Sequence, residues 1–216
     1  MKGNSERVPN KNMRLFDGKP LYHAIISELL NSKYITNIII NTDSEKIKQD
    51  ANLNFPSVII VDRPIEIQGD FVPMNEIIEY DINQIESDIY IQTHSTNPLL
   101  KHITLDNAIK AFIDADGKFD SVFSVTRLQT RLYWEDGKPV NHNPNELLRT
   151  QDLPPVFEEN SNFYIFTKES FKKVGKKRIG LKPLMFPMNK IEAQDIDEPE
   201  DFILAETLYK VRHDIR

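Results

Sequence analysis

Short, continuously apolar segments alternate with helical segments along most of the chain, and this alternation limits the possible folds more than any other feature. The segments predicted as strands are residues 38–40, 58–61, 88–93 and 121–125, of which the first two are apolar throughout. Apolar residues at helical spacing predict helices over residues 22–30, 44–53, 73–85, 104–115 and 199–211. Strands that are apolar on both faces must be covered on both faces. The pattern therefore predicts an α/β fold with a Rossmann-like, mostly parallel sheet and helices on both faces.

The alternation stops between residues 127 and 183. This interval holds the only tryptophan, a proline-rich segment at 152–155 and a basic run at 172–178. It is predicted to be an inserted arm within an α/β domain formed by residues 1–126 and 184–216. Its apolar residues lie in a stretch too short to build its own core, so we expect them to be buried against a second subunit in a symmetric dimer. They are Trp134, Leu147, Leu148, Val156 and Phe157.

The composition excludes several classes of protein. Because the chain has no cysteine, it has no disulfide, no thiolate metal site and no cysteine nucleophile. The net charge of −6 argues against a nucleic acid or an anionic membrane as partner. The apolar runs are far shorter than the ~20 residues of a membrane-spanning helix. No apolar stretch follows the first positive charge, so no signal peptide is expected and a cytoplasmic location is predicted.

The first dozen residues combine small, polar and cationic side chains in one predicted loop. Backbone N–H groups there could bind phosphates whose charge the cations would neutralise. The N–H donors would be Gly3, Asn4 and Ser5, and the cations Lys2, Arg7 and Lys11. A frayed, charged terminus is the alternative. Phosphate loops normally follow the carboxyl end of a strand, and no strand precedes Lys2. The sequence therefore predicts that the first strand is missing from this chain.

Asp195 and Asp197 flank Ile196 and form a second candidate site. In an extended segment both carboxylates point to the same side and can bind one Mg²⁺, while Ile196 packs inward. The alternative is a helix cap, since Asp197 precedes an acidic first helical turn.

Residues 92–99 form a third candidate site, at the end of a predicted strand. Short hydrogen-bonding side chains at that edge suit a polyhydroxylated ligand, although a simple turn ended by Pro98 would also explain them. His94 has no partner at a catalytic spacing, so it is given no catalytic role. The basic run at 172–178 is interpreted as a solvated loop, with phosphate or partner contact as the alternative.

Taken in order, these motifs resemble the CMP-sugar synthetases, the acylneuraminate cytidylyltransferase family. The resemblance spans nearly the whole chain. Its motifs are the Lys2-Gly3-Asn4-Ser5 loop, Pro9-Asn10-Lys11-Asn12, Gly18-Lys19-Pro20-Leu21, Asn41-Thr42-Asp43, Arg63-Pro64 with Asp70, residues 92–99, Arg149-Thr150-Gln151-Asp152-Leu153-Pro154, Asn160-Ser161-Asn162-Phe163-Tyr164-Ile165 and Asp195-Ile196-Asp197.

The resemblance implies a fold of the nucleotide-diphospho-sugar transferase type and transfer of CMP from CTP to the anomeric hydroxyl of a sialic-acid-like 2-keto-3-deoxy sugar acid, with release of pyrophosphate. It makes residues 127–183 a dimerisation arm that helps to cover the neighbour's site. The implied catalytic residues are Lys2, Lys11, Asp195 and Asp197, the last two binding Mg²⁺. The implied nucleotide site is Gly3, Asn4, Ser5, Arg7, Asn12, Thr42, Asp43 and Arg63. The implied sugar site is Gln92, Ser95, Thr96, Gln151, Tyr164 and Phe186.

Three residues depart from the family pattern. Lys2 replaces an arginine, Asn4 a glycine and Glu6 a lysine. Lysine keeps the charge but loses the bidentate fork of arginine. Two alternatives therefore stay open: a nucleotidyltransferase for another acid sugar, such as 3-deoxy-octulosonate, and a non-catalytic nucleotide-binding homologue.

Overall fold

A computed structural model of the chain describes residues 1–3, 8–69 and 71–214, and these form eight strands and six α-helices. The strands are β1 (Leu15–Phe16), β2 (Lys19–Pro20), β3 (Ile39–Thr42), β4 (Ile59–Asp62), β5 (Tyr90–Thr93), β6 (Ser121–Leu128), β7 (Val156–Phe166) and β8 (Pro183–Pro187). The helices are α1 (Tyr22–Asn31), α2 (Glu45–Asn54), α3 (Met74–Ile82), α4 (His102–Asp114), α5 (Lys168–Lys173) and α6 (Pro199–Asp214). Each helix and strand predicted from the apolar pattern is present, with its ends shifted by a few residues.

The strands form two parts of one α/β layer and a small hairpin. β3 pairs in parallel with β4. The larger part has the order β5-β7-β6-β8, in which β6 and β8 are parallel and β7 runs antiparallel to β5 and β6. β1 and β2 form the hairpin. The hairpin packs on α6, where Phe16 meets Phe202 edge-on with ring centroids 5.6 Å apart.

Helices cover both faces of the sheet, as the apolar strands predict. Residues of β7 alternate between the faces because successive side chains point to opposite sides of a strand. Phe163 and Ile165 join the core formed with α1, α2 and α4. Tyr164 and Phe166 join the core formed with α3 and α5.

β7 lies inside the interval 127–183 that the sequence interprets as an inserted arm. Residues 164–166 pair with both β5 and β6, and they therefore belong to the main sheet. The segment that lies outside the sheet runs from residue 129 to 155. The sequence did not separate the two parts because the strand is interrupted by polar residues, including Asn160 and Asn162.

A gap separates β3 from β5. Among the described residues, β3 pairs only with β4 and β5 only with β7, so one edge of each strand has no partner. A cavity of about 910 Å³ lies there, and Met1 donates a hydrogen bond from its amino group to the carbonyl oxygen of Asn41 at its border. Apolar side chains from both strands and from the helices line it, among them Ile26, Ile40, Ile78, Ile91 and Ile109. No described segment fills the place expected for the missing first strand.

None of the helices in the described part of the chain has the length and apolar character needed to span a membrane.

Candidate active site

The loops at the carboxyl ends of β3 and β5 converge on the first residues of the chain. The Gly3 N–H donates to Asp43 Oδ1 at 2.8 Å. Asn12 Nδ2 donates to the Lys2 carbonyl at 2.9 Å, and Ser95 Oγ donates to Asn12 Oδ1 at 2.6 Å. Five of the residues predicted for the site therefore lie together, although Lys2 and Ser95 are far apart in the sequence.

Gly3 is required by this packing. A Cβ at this position would lie 2.9 Å from the Cβ of Ser44, closer than side-chain carbons normally approach. Ser44 caps α2 by accepting a hydrogen bond from the Ile47 N–H. The backbone of the loop therefore lies directly against the N-terminus of α2, where a helix favours negative charge.

Arg63 is buried at the end of β4 and holds the end of β3. Its Nε donates to Asn41 Oδ1 at 2.8 Å, and one terminal nitrogen donates to the Asn41 carbonyl at 3.2 Å. Asn41 in turn donates to Asp81 Oδ1 at 2.6 Å. Burial lowers the pKa of Arg63 and raises the pKa of Asp81. Thr42 is fully buried beside this group. Asp81 was not predicted, because nothing in the sequence of α3 separates it from a solvated helix residue.

Asp195 and Asp197 lie beside the end of β5, as predicted. The Ile196 N–H donates to the Thr96 carbonyl at 2.9 Å, which attaches the acidic segment to this strand end. Ile196 is fully buried, so it packs inward between the two carboxylates. Lys11 is also buried, and its Nζ donates to the Ile196 carbonyl at 2.6 Å and lies 3.9 Å from Asp197 Oδ1.

Asp201 lies in the first turn of α6 and reaches back toward the residues before it. Its Oδ2 accepts hydrogen bonds from the N–H groups of Asp197 and Glu198, at 3.1 and 2.8 Å. These N–H groups precede the helix, whereas a cap at its start accepts from N–H groups of the first turn. The capping alternative for Asp197 therefore stays a prediction.

The acidic pair has the chemistry of a magnesium site. Burial raises the pKa of Asp195, and the nearby charge of Asp197 adds to the rise, while a hydrogen bond with Thr96 opposes it. Carboxylate oxygens are the ligands that Mg²⁺ prefers, and two carboxylates leave positions for substrate phosphates. No cluster of three or more metal-binding side chains occurs among the described residues. Two carboxylates on one segment fit a cation that takes its other ligands from a phosphate chain, and Asp195 and Asp197 would hold it.

A cavity of about 510 Å³ opens beside the acidic pair. Its lining is mainly polar and includes Thr126, Glu158, Glu159, Ser161 and Lys190. The volume and the hydrogen-bonding side chains suit a polyhydroxylated ligand next to the acidic pair.

Two predicted sugar-binding residues form a further group with two residues that were not predicted. Arg178 stacks on Tyr164 and donates to Gln92 Oε1 at 2.7 Å. Gln92 Nε2 lies 2.9 Å from His94 Nε2. Arg178 was missed because it ends a run of lysines. The only sequence feature that could have indicated its burial is the apolar Ile179 directly after it, which predicts that the chain approaches the core at this point.

The other predicted positions lie elsewhere. Phe186 packs against Phe163 on the opposite face of the sheet from Tyr164, with ring centroids 5.9 Å apart. Gln151 is exposed in a short 3-10 turn, and its carbonyl accepts from Gln129 Nε2 at 2.7 Å. The predicted positions Asn4, Ser5, Arg7 and Asp70, and the departure at Glu6, lie outside the described residues.

His94 predicts a pH dependence of stability. Burial and then the charge of Arg178 lower its pKa from 6.5 to about 4. Below pH 6.5 the unfolded chain therefore takes up a proton that the folded chain refuses, and the fold loses stability as the pH falls toward 4. His94→Gln keeps an acceptor for Gln92 and removes the titration. Urea unfolding of both proteins at pH 7, 5.5 and 4.5 measures the free energy of unfolding. This free energy should decrease less in the variant than in the unchanged protein as the pH falls, and equal decreases would exclude His94 as the cause.

Comparison with known proteins identifies relatives over almost the entire chain. A family profile described as cytidylyltransferase matches residues 1–213. Pseudaminic acid cytidylyltransferase from Campylobacter jejuni is 27% identical, and the match covers 99% of this chain and 95% of that protein. CMP-N,N'-diacetyllegionaminic acid synthase from Legionella pneumophila is 27% identical over 97% of this chain and 94% of that protein. N-acylneuraminate cytidylyltransferase A from Danio rerio is 29% identical over 95% of this chain and 48% of that protein.

The solved structures confirm the fold. CMP:2-keto-3-deoxy-manno-octonic acid synthetase complexed with CTP matches with a TM-score of 0.71 at 11% identity, over 98% of this chain and 96% of that chain. The fold is therefore the α/β fold of the nucleotide-diphospho-sugar transferase type, as the resemblance implies. Because the family profile spans the sheet and every described part of the site, the chain belongs to the cytidylyltransferase family and is a nucleotidyltransferase.

Proposed function

We propose that this protein transfers CMP from CTP to the anomeric hydroxyl of a sialic-acid-like 2-keto-3-deoxy sugar acid and releases pyrophosphate. The observation that carries the proposal is the meeting of Gly3, Lys11 and the Asp195–Asp197 pair at one edge of the sheet. The names of the relatives agree with it, because they describe cytidylyltransferases or CMP synthases of pseudaminic, legionaminic and N-acylneuraminic acids.

Binding of the triphosphate would use the N-terminal loop and two lysines. The backbone at Gly3 approaches the N-terminus of α2, and Lys2 and Lys11 supply positive charge. Lys11 is buried and held at the Ile196 carbonyl, so its ammonium group is positioned before the substrate arrives. Such preorganised charge stabilises the negative charge that develops on the phosphates during transfer.

In the proposed reaction the anomeric oxygen forms a bond to the α-phosphorus, and the bond from that phosphorus to the bridging oxygen of pyrophosphate breaks. The proton of the sugar hydroxyl passes to water, and no covalent enzyme intermediate is needed. Asp195 and Asp197 would hold Mg²⁺, whose positive charge would polarise the α-phosphate. Asn12 and Ser95 hold the loop against β5, and the cavity beside Glu159 and Ser161 receives the sugar.

An assay of pyrophosphate release tests the proposal. CTP, UTP, GTP and ATP are each supplied with N-acetylneuraminate, pseudaminate, legionaminate and 3-deoxy-octulosonate. We expect the fastest release with CTP and a nine-carbon acid. Faster release with another nucleotide for every sugar would overturn the choice of CTP, and nucleotide binding without pyrophosphate release would support the non-catalytic alternative.

We also propose that the protein is a homodimer joined through residues 129–155. Leu147, Trp134 and Leu148 are 94%, 64% and 42% exposed in the single chain, and no core of their own covers them. Val156 and Phe157, at the start of β7, are half-buried. Contact with the same surface of a second copy would remove these side chains from water.

Light scattering should find twice the 25.1 kDa mass of the chain at micromolar concentration. Leu147→Asp should shift the protein toward the monomer, because the interface would then bury a charge. Leu53→Asp is the matched control, since Leu53 is 82% exposed on α2, outside the segment. A 25.1 kDa particle for the unchanged protein would contradict the dimer.

A further inference from the structure

Arg178 is set apart from the other cations of the basic run. Lys172, Lys173, Lys176 and Lys177 are exposed, as expected for a solvated loop, whereas Arg178 is half-buried. Its guanidinium carbon lies 3.9 Å from the ring centroid of Tyr164, a residue without exposed surface. The loop therefore points one cation into the protein at the end of the sheet.

A chain of hydrogen bonds fixes the orientation of Arg178. One terminal nitrogen donates to Gln92 Oε1 at 2.7 Å, and Gln92 Nε2 lies 2.9 Å from His94 Nε2. A guanidinium only donates, so the amide oxygen has to face Arg178 and the amide nitrogen has to face His94. His94 is neutral at pH 7, since its pKa is lowered to about 4, and its Nε2 can accept this bond. Gln92 is thus a positioning residue for Arg178.

No carboxylate among the described residues pairs with Arg178, whereas the half-buried Arg212 has a counter-ion: one of its terminal nitrogens lies 2.5 Å from Glu28 Oε1. A partly desolvated cation without a counter-ion is unfavourable, and binding of an anion would relieve this. The guanidinium has five N–H groups, and the hydrogen bond to Gln92 uses one of them. The planar fork that remains matches the two oxygens of a carboxylate.

The proposed substrates bring two anionic groups to the site, the triphosphate and the carboxylate of the sugar. Lys11 Nζ lies 3.9 Å from Asp197 Oδ1, and the Lys2 carbonyl is bonded to Asn12, so we assign the chain segment that carries both lysines to the triphosphate. Arg178 stacks on Tyr164, whose hydroxyl donates to Ser161 Oγ at 3.0 Å in the lining of the cavity assigned to the sugar, next to the same acidic pair. Resting on the proposed function, we infer that Arg178 binds the carboxylate of the acid sugar and selects acids over neutral sugars.

Kinetics with the acid sugar and with its carboxamide test this assignment. For the unchanged protein, kcat/KM should be higher with the acid. Arg178→Gln should raise KM for the acid about 10-fold to 100-fold, as expected for a lost charge-assisted pair, and should bring the acid-to-amide ratio of kcat/KM close to one. KM for CTP should change less than about 2-fold, because Arg178 contacts Gln92 and Tyr164, which are assigned to the sugar. Arg178→Lys should keep part of the preference.

Lys177→Gln is the matched control, since it removes the same charge from the adjacent exposed position, and it should behave as the unchanged protein. An unchanged acid-to-amide ratio in Arg178→Gln, or an equal effect of Lys177→Gln, would overturn the assignment. Thermal melting of each variant confirms that it folds. If the unchanged protein transfers CMP to no acid sugar, the proposed function fails. Calorimetric binding of the acid sugar then decides on Arg178, and equal affinity in Arg178→Gln and the unchanged protein would overturn its role.

Discussion

Replacing Asp195 or Asp197 by asparagine should lower kcat by about 100-fold or more, the effect expected when a metal that stabilises transition-state charge is lost. The fold should survive, because asparagine keeps the shape of the side chain and its capacity to accept hydrogen bonds. Both residues flank the buried Ile196, whose N–H and carbonyl stay bonded to Thr96 and Lys11 in either variant. Turnover and melting temperature across a Mg²⁺ titration measure the two effects separately.

The outcome distinguishes the metal site from a helix cap. Asparagine caps a helix about as well as aspartate, so Asp197→Asn should change the melting temperature little in either role, whereas only a metal site predicts a loss of turnover. Glu200→Gln is the matched control, because it removes a negative charge from the same turn at an exposed position. Turnover equal to that of the unchanged protein at low Mg²⁺ would remove the metal assignment for the residue concerned.

An engineered apolar extension joined to Met1 should raise the melting temperature on the order of 10 °C. Four to six residues rich in valine and isoleucine would lie in the gap of about 910 Å³ and pair with the open edges of β3 and β5. Each buried side chain contributes about 1.5–3 kcal/mol before the cost of ordering the strand, and each net kcal/mol raises the melting temperature by about 2–4 °C in a chain of this size.

The position of Met1 favours this result. Its amino group donates to the Asn41 carbonyl, near the carboxyl end of β3, so residues placed before it would run alongside that strand. Burial, followed by the charge of Arg63, lowers the pKa of the amino group to about 5. A peptide bond at this nitrogen would keep the donor and remove the cost of burying an ionisable group.

A glycine-serine extension of equal length is the control, because it can occupy the gap without burying apolar surface. The melting temperature of the glycine-serine variant should be close to that of the unextended protein. Amide hydrogen exchange at Ile40 and Ile91 should be slower only in the protein with the apolar extension. Equal melting temperatures for the two extensions would show that the gap does not accept a strand.

Local patterns predicted the elements of this fold well, for a physical reason. Residues 38–40 and 58–61 are apolar without interruption, which is typical of strands buried on both faces. These segments correspond to β3 and β4, which pair in parallel. Ser44 predicted the start of α2 because capping depends on one side chain and the next few amides. β7 was assigned to an arm because its pairing with β5 and β6 depends on residues far away in the sequence.

The same division applies to the site. The sequence alone determined which residue types are available, the order of the motifs and the acidic pair around Ile196, because these are properties of neighbouring residues. Tertiary structure decided that Arg178, at the end of the lysine run, donates a hydrogen bond to Gln92, 86 positions away. It also decided that Phe186 faces the opposite side of the sheet from Tyr164. Side-chain direction follows from strand register, and register is set by packing between elements that are distant along the chain.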